Sequence, residues 1–419
     1  MTIELVFPTL PPAIDGIGDY TVRLAQALQQ TSLGAFAAGD SPAVRVRTGL
    51  SPTDASDVDV VGGYNFSSFA SLRRLIDDVC ASNADWMVLQ YNPFSYGQWG
   101  LNLILPAAMW ALRRKPNAPR LAVMVHEPFV PAMNWRFALM GTWQRAQFYA
   151  LGLLADHLFF SIAPWADRFA PWFPSTPLNH LPVGSNMPRV PADPPAIRKG
   201  YGIAPETFVM GVFGSAHPSR LLSFVREAVA ETRRALPPGQ PVCVLYVGIA
   251  GEAVRHALDG AAPLVDAGRL DAPDVSRAFA AMDVYCAPFR KGVSTRRGSF
   301  MTGLQHGVAT LSTQGIHTDA CLQHENGRSL VLALDDDPAA YAARAAELAV
   351  HPEHRHNIAQ AGRHFFEAHF EWSQIARRMV SLLSVHTESQ VDARAVLEAA
   401  GTPAFPSDRL VSSQSPTSF

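Results

Sequence analysis

Apolar and polar positions follow a repeating block pattern along the chain. Short runs rich in Val, Leu and Phe are each followed by a segment with helical spacing of apolar residues. This alternation is typical of βα units with parallel strands, and uninterrupted apolar runs favour strands that are covered on both faces. The pattern predicts two series of strands, the first at residues 4–7, 59–61, 86–90, 121–125 and 158–161, and the second at 208–213, 242–247, 284–287, 310–312 and 330–334.

A proline-dense segment separates the two series. Residues 186–205 hold five prolines, and such a segment is stiff and cannot pair within a sheet. We therefore predict an α/β chain with an N-terminal domain over 1–187, a linker over 188–205, a second domain over 206–370 and a C-terminal helix over 371–386. From Gly401 the chain is rich in Thr, Pro and Ser, so residues 400–419 are expected to be disordered.

Two doubly wound Rossmann-like domains joined by one linker form a central cleft. The carboxyl ends of the strands face this cleft, and ligands bind there in such architectures. Functional residues are therefore expected in the loops that follow the strands.

Composition narrows the function classes. The 419 residues include 34 basic and 36 acidic side chains, a formal charge of -2, so no global field is available to bind nucleic acid non-specifically. The four cysteines are widely spaced, which suits reduced thiols better than a disulfide framework. The start has no basic leader, and the longest uncharged apolar stretch, 101–112, is too short to span a bilayer. We expect a cytoplasmic protein and leave contact with the inner membrane surface open.

A glycine-containing loop follows the first predicted strand. Gly16 and Gly18 stand where a helix begins, and free amides at a helix start attract anions. The dinucleotide-binding fingerprint does not fit, because Thr21 stands where a third glycine is needed. The alternative is a plain helix entry that is capped by Asp19.

Two titratable residues end the apolar strand over 121–125. His126 and Glu127 come directly after it, and Pro128 terminates the strand. Polar groups at such a position face the cleft, where burial requires partners or a function. The alternative for His126 is a structural hydrogen bond.

A Gly/Ser turn follows the first strand of the second series. Ser215 and Ser219 could donate to a phosphate there, Arg220 adds charge, and Pro218 is expected in the first turn of the next helix. The alternative is an ordinary strand-to-helix turn.

The most informative segment is 287–300, APFRKGVSTRRGSF. Four cations and three hydroxyls gather within ten residues, after a strand and at the start of a helix. Such a concentration predicts a positive pocket of diphosphate size. The alternative is a solvated charged loop.

Taken in order, these segments resemble the GT-B glycosyltransferases, and within them the large retaining family that includes sucrose synthases, phosphatidylinositol mannosyltransferases and many bacterial polysaccharide enzymes. The resemblance runs from Pro11 to about Leu383. It is carried by His126 and by residues 16–20 (GIGDY), 181–184 (LPVG), 271–289 (DAPDVSRAFAAMDVYCAPF), 304–308 (LQHGV) and 313–315 (TQG).

The resemblance implies a role for each matched position. Domain 1–187 would bind the acceptor and domain 206–370 the nucleotide sugar. Gly16 and Gly18 would contribute amides to the donor diphosphate, and His126 would lie beside the transferred sugar. The loop and helix over 294–302 would receive the donor, which makes donor-binding candidates of Ser294, Arg296, Arg297, Gly298, Ser299 and Thr302.

The chain departs from the family pattern at two places. Ser294 and Thr302 stand where family members carry two glutamates. Ser215 and Arg220 stand near the positions of an Arg and Lys pair, so Arg297 and its neighbour at 296 are expected to supply the missing positive charge.

The implied reaction moves a sugar from a nucleotide diphosphate sugar to a hydroxyl of a glycan, a lipid-linked glycan or a small molecule. It needs no cofactor and no metal, because helix amides and basic residues neutralise the leaving diphosphate. Retention is implied, without a protein nucleophile; if the enzyme inverted, His126 or Asp19 would have to be the general base. A sugar-nucleotide epimerase or hydrolase, or a non-catalytic nucleotide-sugar-binding relative, is the alternative.

An aromatic zone occupies residues 135–173 of the first half, with arginines among the rings. Core packing explains most of it. The remainder is interpreted as an acceptor wall or as a shallow membrane-facing patch.

Overall fold

The computed structural model describes residues 1–13, 15–31, 41–49 and 57–399. Within these residues the chain forms two parallel sheets, of seven and six strands, with helices in most of the connections between strands. The strands of the first sheet are β1 Thr2–Val6, β2 Ala43–Arg47, β3 Asp59–Val61, β4 Trp86–Tyr91, β5 Arg120–Val125, β6 His157–Phe160 and β7 Leu178–His180. Those of the second sheet are β8 Phe208–Phe213, β9 Val242–Val247, β10 Leu264–Asp266, β11 Val284–Ala287, β12 Ala309–Gln314 and β13 Val331–Leu334.

The helices pack against these sheets and connect their strands. Two short 3₁₀ helices, Gln98–Gly100 and Ala170–Trp172, extend the connections. The α-helices are α1 Gly16–Gln29, α2 Phe69–Ala81, α3 Pro93–Tyr96, α4 Ile104–Leu112, α5 Trp135–Leu154, α6 Ala163–Phe169, α7 Pro194–Gly200, α8 Leu222–Ala235, α9 Gly251–Leu258, α10 Ala272–Ala280, α11 Gly298–Gln305, α12 Ala320–His324, α13 Pro338–Val350, α14 Pro352–His369 and α15 Trp372–Ala399.

Both sheets have the doubly wound strand order. The first runs β3-β2-β1-β4-β5-β6-β7 and the second β10-β9-β8-β11-β12-β13. The direction of winding therefore reverses between β1 and β4 in one sheet and between β8 and β11 in the other. A crevice opens at the carboxyl ends of the strands at each such reversal, and this is where ligands bind in the fold class.

All ten predicted strands are present, and three others were missed. The missed strands are β2, β7 and β10. β2 has the sequence AVRVR, in which Arg47 is buried only because its guanidinium pairs with the buried carboxylate of Glu4, at 2.8 Å. β7 and β10 have three residues each and lie at sheet edges, where a run is too short to show a pattern.

The second sheet has apolar cores on both faces, as its uninterrupted strands predict. Along β8, Met210 and Val212 belong to one core, while Val209 belongs to the other. Neighbouring strand residues point to opposite faces, so helices must cover both sides of this sheet.

The predicted linker 188–205 contains helix α7, which begins with two prolines at positions where the helix needs no amide donor. Residues Met1–Arg378 form one compact unit that holds both sheets, and a second unit starts at Met379. The division into domains 1–187 and 206–370 stays a prediction. The predicted C-terminal helix over 371–386 corresponds to α15, which extends to Ala399. The tail predicted over 400–419 lies outside the described residues.

The described part of the chain contains no helix that is long and apolar enough to cross a membrane.

Candidate functional site

A cavity of about 990 Å³ lies at the carboxyl ends of both sheets. The first half contributes the loops after β1, β4 and β5, and the second half contributes the loop after β8 and the start of α11. The cavity therefore lies at the winding reversals of both sheets. Eight candidate residues line it: Gly16, His126, Ser215, Arg296, Arg297, Gly298, Ser299 and Thr302.

Four other candidates are not part of this lining: Gly18, Asp19, Arg220 and Ser294. Ser294 is fully buried, so the structure does not bring its hydroxyl to the cavity wall. Arg220 lies behind the wall and donates from Nη2 to the Ser299 hydroxyl at 3.1 Å. Arg220 therefore positions the Ser299 hydroxyl at the cavity and does not itself form part of the lining.

The glycine loop is built differently from the prediction. Asp15, not Asp19, caps α1: one Asp15 carboxylate oxygen accepts hydrogen bonds from the amides of Ile17 at 2.8 Å and Gly18 at 3.1 Å. These amides are consequently already occupied, and the expectation that Gly18 offers a free amide to an anion is wrong.

The two glycines of this loop have different roles. A Cβ at Gly18 would lie 2.5 Å from the carbonyl oxygen of Thr9, so this glycine permits close backbone packing. A Cβ at Gly16 would meet nothing within 4 Å, and this residue borders the cavity. Only Gly16 leaves room for a ligand to approach the backbone. Asp19 is partly buried outside the lining, and burial together with the charge of Asp15 raises its pKa.

His126 lies at the end of β5 and is held from two sides. Its Nε2 is 2.8 Å from Oε1 of Gln90, and its ring makes an edge contact with Tyr20 at 4.7 Å between centroids. Burial, followed by the nearby charge of Arg296, lowers the pKa of His126 to about 3. The ring is therefore neutral at physiological pH, and Nε2 carries the proton when the Gln90 carbonyl accepts it.

Three arginines near the cavity pack on two aromatic rings. The guanidinium carbons of Arg220 and Arg297 lie 4.8 and 4.7 Å from the ring centroid of Phe289. Arg296 stacks in the same way on Trp165, at 4.9 Å. Aromatic faces thus hold these cations in place without neutralising them.

No carboxylate among the described residues forms an ion pair with these three arginines. Nε of Arg296, Nε of Arg297 and Nη1 of Arg220 are buried and have no hydrogen-bond partner within that part of the chain. Burial, then the charges of Arg296 and Arg220, lowers the pKa of Arg297 to about 9. The cluster is therefore a candidate site for an anion, since a buried cation is unfavourable unless it is paired. Of the four cations in this loop, Arg296 and Arg297 line the cavity, whereas Arg290 is exposed to solvent as the alternative of a solvated charged loop predicts.

Helix α11 begins beside this cluster. Its N-cap, Arg297, provides no side-chain cap, so the helix start is left with unsatisfied amides at Gly298 and Ser299, both of which line the cavity. Thr302 is one turn further along. Its hydroxyl donates to the Gly298 carbonyl at 3.0 Å and lies 3.0 Å from the Ser185 hydroxyl, a contact between the two halves of the chain.

The turn after β8 does not lead directly into a helix. Pro218 and Ser219 lie in a turn, and α8 begins only at Leu222, so the placement of Pro218 in the first helical turn is wrong. Ser215 and Ser219 still line the cavity. Their hydroxyl groups are available to a ligand in the cavity, but the turn itself supplies no free amides of a helix start.

Sequence reasoning missed one acidic residue of the lining, Asp15, and gave another, Glu127, no role. Asp15 is the cap described above, and Glu127 lines the cavity next to His126 and attracts the Arg296 guanidinium. The position of Glu127 directly after an apolar strand predicted that it faces the cleft, but the sequence did not indicate its role. Among the described residues, no group of three or more His, Cys, Asp or Glu side chains is arranged to hold a metal ion.

Neither a protein-family model nor a curated protein sequence matches the chain. Solved structures do. The chain is similar to sucrose-phosphate synthase from Thermosynechococcus elongatus, with 15% identity, a TM-score of 0.66 and coverage of 93% of this chain and 99% of that one. It is similar to HepE from Anabaena, solved in complex with UDP-glucose, with 13% identity, a TM-score of 0.67 and coverage of 92% and 100%.

A third similar structure is α,α-trehalose 6-phosphate synthase from Burkholderia multivorans, at 12% identity and a TM-score of 0.62, with coverage of 96% of this chain and 99% of that one. At such identities the likeness establishes the fold. The chain has the GT-B fold, and the prediction of two doubly wound Rossmann-like sheets about a central cleft is confirmed.

Proposed function

We propose that the protein is a glycosyltransferase that moves a sugar from a nucleotide diphosphate sugar to a hydroxyl acceptor. The observation that carries the proposal is the pair Arg296 and Arg297, which line the cavity beside the uncapped start of α11 and have no carboxylate partner among the described residues, with Arg220 behind them. Such a site fits a diphosphate, which offers several acceptor oxygens and about two to three negative charges. The similar HepE structure holds UDP-glucose, which agrees with this ligand class.

The arginines would stabilise the leaving group. As the bond between sugar and diphosphate breaks, negative charge grows on the β-phosphate. Fixed guanidinium groups and helix amides stabilise that charge without having to reorganise, and they do so most strongly in a site that excludes water. Because these groups belong to the protein, we propose that catalysis requires no metal ion.

The opposite wall would hold the sugar. His126 and Glu127 lie there, at the end of β5. With a pKa of about 3, His126 is a weak base, and its Nε2 proton is donated to Gln90, so its proposed role is to accept a hydrogen bond from a sugar hydroxyl at Nδ1 or to shape the pocket. Asp19 is outside the lining, which leaves it out of reach as a base.

These positions favour retention. An inverting enzyme needs a protein base for the acceptor hydroxyl; His126 and Asp19 are unsuited to that work, and inversion would require Glu127, which we assign to the sugar instead. In a retaining transfer the leaving phosphate helps to deprotonate an acceptor that attacks from the same face. The single carboxylate of Glu127 would then stabilise positive charge on the sugar.

The test is product analysis. Purified protein is incubated with a panel of nucleotide diphosphate sugars, with and without hydroxyl acceptors, and nucleoside diphosphate release and product anomer are followed by NMR. We expect release that depends on the acceptor and a product with the anomeric configuration of the donor. Release without transfer would identify a hydrolase, and binding without turnover a non-catalytic relative.

A further inference from the structure

Helices α4 and α5, together with the segment that precedes α4, carry a large apolar surface that faces solvent. We define the α4–α5 surface by Trp99, Leu103, Trp110, Trp135 and Leu139. Trp135 is 72% exposed, Leu103 67% and Trp99 56%. Isolated exposed apolar residues are ordinary, but a group of this size marks an interaction surface.

The residues of this surface lie on one layer of the fold. α4 connects β4 to β5 and α5 connects β5 to β6, and these strands are neighbours in the sheet. Two successive parallel crossovers in the same direction place their helices side by side on one face of the sheet, because such crossovers are right-handed. Exposed positions along α5 continue to Leu153, so the apolar stripe runs roughly 27 Å at 1.5 Å per residue.

Trp99 is held in place by an unusual backbone conformation. It is a bulky residue with φ of 60° and ψ of 17°, in the left-handed region. Its carbonyl accepts hydrogen bonds from Trp143 Nε1 at 3.2 Å and Gln144 Nε2 at 3.0 Å, which fasten the turn to α5. The fold thus holds the turn in a strained conformation while the Trp99 ring stays exposed to solvent. This combination indicates that the ring has a functional role at the surface.

The charge of this region is one-sided. Residues 93–155 contain six basic side chains and one acidic side chain, Glu127, which is a cavity residue. Within the described part of the chain, Arg114, Arg136 and Arg145 form no ion pair with a carboxylate. Arg136 lies over the ring of Trp135, at 5.3 Å. Arg113 and Lys115 pair with Asp156 and Asp77, so the border contains both paired cations and arginines that have no carboxylate partner among the described residues.

We propose that the α4–α5 surface docks the protein on an anionic lipid bilayer. Exposed Trp and Leu side chains enter the boundary between headgroups and acyl chains, and adjacent arginines bind anionic headgroups. The excess of basic over acidic side chains in this region favours this occupant over a protein partner of ordinary mixed charge. Phe94, which is exposed and borders the cavity, precedes Trp99 by five residues, so the surface extends towards the cavity.

The test is flotation of the full chain with vesicles of phosphatidylcholine alone or of phosphatidylcholine with phosphatidylglycerol. We expect binding that needs the anionic lipid and weakens in high salt. Arg114→Glu/Arg136→Glu should reduce binding roughly tenfold or more, and Trp99→Ser/Trp135→Ser should abolish it. The charge-matched control is the double variant Arg269→Glu/Arg328→Glu, which changes two exposed arginines of the second half. It should bind vesicles like the wild type.

The docking does not depend on the proposed sugar transfer, because flotation requires no turnover. Far-ultraviolet circular dichroism and thermal melting establish that each variant is folded. Absence of binding to either vesicle by the folded wild type would overturn the proposal. A second contradicting result is self-association of the wild type in solution without binding to vesicles. If the Trp99→Ser/Trp135→Ser variant also loses that self-association, the surface is a contact between copies of the chain.

Discussion

Replacing Arg297 with alanine tests the anion site at its centre. Its guanidinium packs on Phe289, has no carboxylate partner among the described residues, and keeps Nε unpaired. In the proposed complex it forms charge-assisted hydrogen bonds to a phosphate, worth about 1.5 to 3 kcal/mol. We therefore expect Arg297→Ala to weaken nucleoside diphosphate binding by roughly ten- to 150-fold.

The same substitution should have little effect on folding. The pKa of Arg297 is lowered to about 9, so its charged form is disfavoured in the folded protein and no stabilising ion pair is lost. Loss of the contact with Phe289 would cost about 2 kcal/mol, partly offset by removal of the buried charge. Arg297→Ala should therefore lower the affinity for nucleoside diphosphate without lowering the free energy of unfolding to a similar extent. A general structural defect would lower both.

The assay is isothermal titration calorimetry with a nucleoside diphosphate and with the corresponding nucleoside. Arg297→Lys should restore binding only in part, because lysine keeps the charge and loses the planar fork. Arg269→Ala, an exposed arginine away from the lining, is the matched control and should bind like the wild type. If both Arg296→Ala and Arg297→Ala bind the diphosphate as tightly as the wild type, the anion site is assigned to the wrong residues.

Three other predictions concern catalysis and stability. Glu127→Gln should lower kcat roughly 100-fold in steady-state kinetics while nucleoside diphosphate affinity stays within about threefold, and an unchanged kcat would remove this carboxylate from the mechanism. Excess EDTA should leave initial rates unchanged, whereas a loss that Mn²⁺ or Mg²⁺ reverses would contradict metal-independent transfer. Burial lowers the pKa of His126 to about 3 and of His180 to about 4, whereas the pKa of an unfolded histidine is near 6.5. Below pH 6.5 the unfolded state therefore binds more protons than the folded state, and the free energy of unfolding falls as the pH drops. Urea unfolding at pH 7 and pH 5 should show a loss of about 2 kcal/mol per histidine, and a His180→Gln variant with the wild-type pH dependence would refute that assignment.

The fold was predictable because apolar runs in this chain are long and uninterrupted in the central strands. β8, β9 and β11 coincide with their predicted bounds. β2 was missed for a physical reason: the buried charge of Arg47 is compatible with a strand only through Glu4, which is 43 residues away in sequence. Such distant pairing leaves no local pattern.

The site was predictable where its residues are neighbours in sequence. Arg296 and Arg297 fall within one cation-rich loop, and the structure places both at the cavity. Their aromatic supports, Trp165 and Phe289, come from separate elements, so sequence spacing could not pair them. The cap of α1 was assigned to the wrong aspartate because both acidic residues lie within one turn of the helix start, and only backbone geometry identifies Asp15.

The central claim is that the arginine cluster binds the diphosphate of the donor. A crystal structure of the protein soaked with a nucleoside diphosphate tests it most directly. We predict phosphate oxygens within about 3 Å of the Arg297 guanidinium and of the Gly298 or Ser299 amide. A diphosphate bound away from these groups, with the guanidinium of Arg297 still unpaired, would contradict the account.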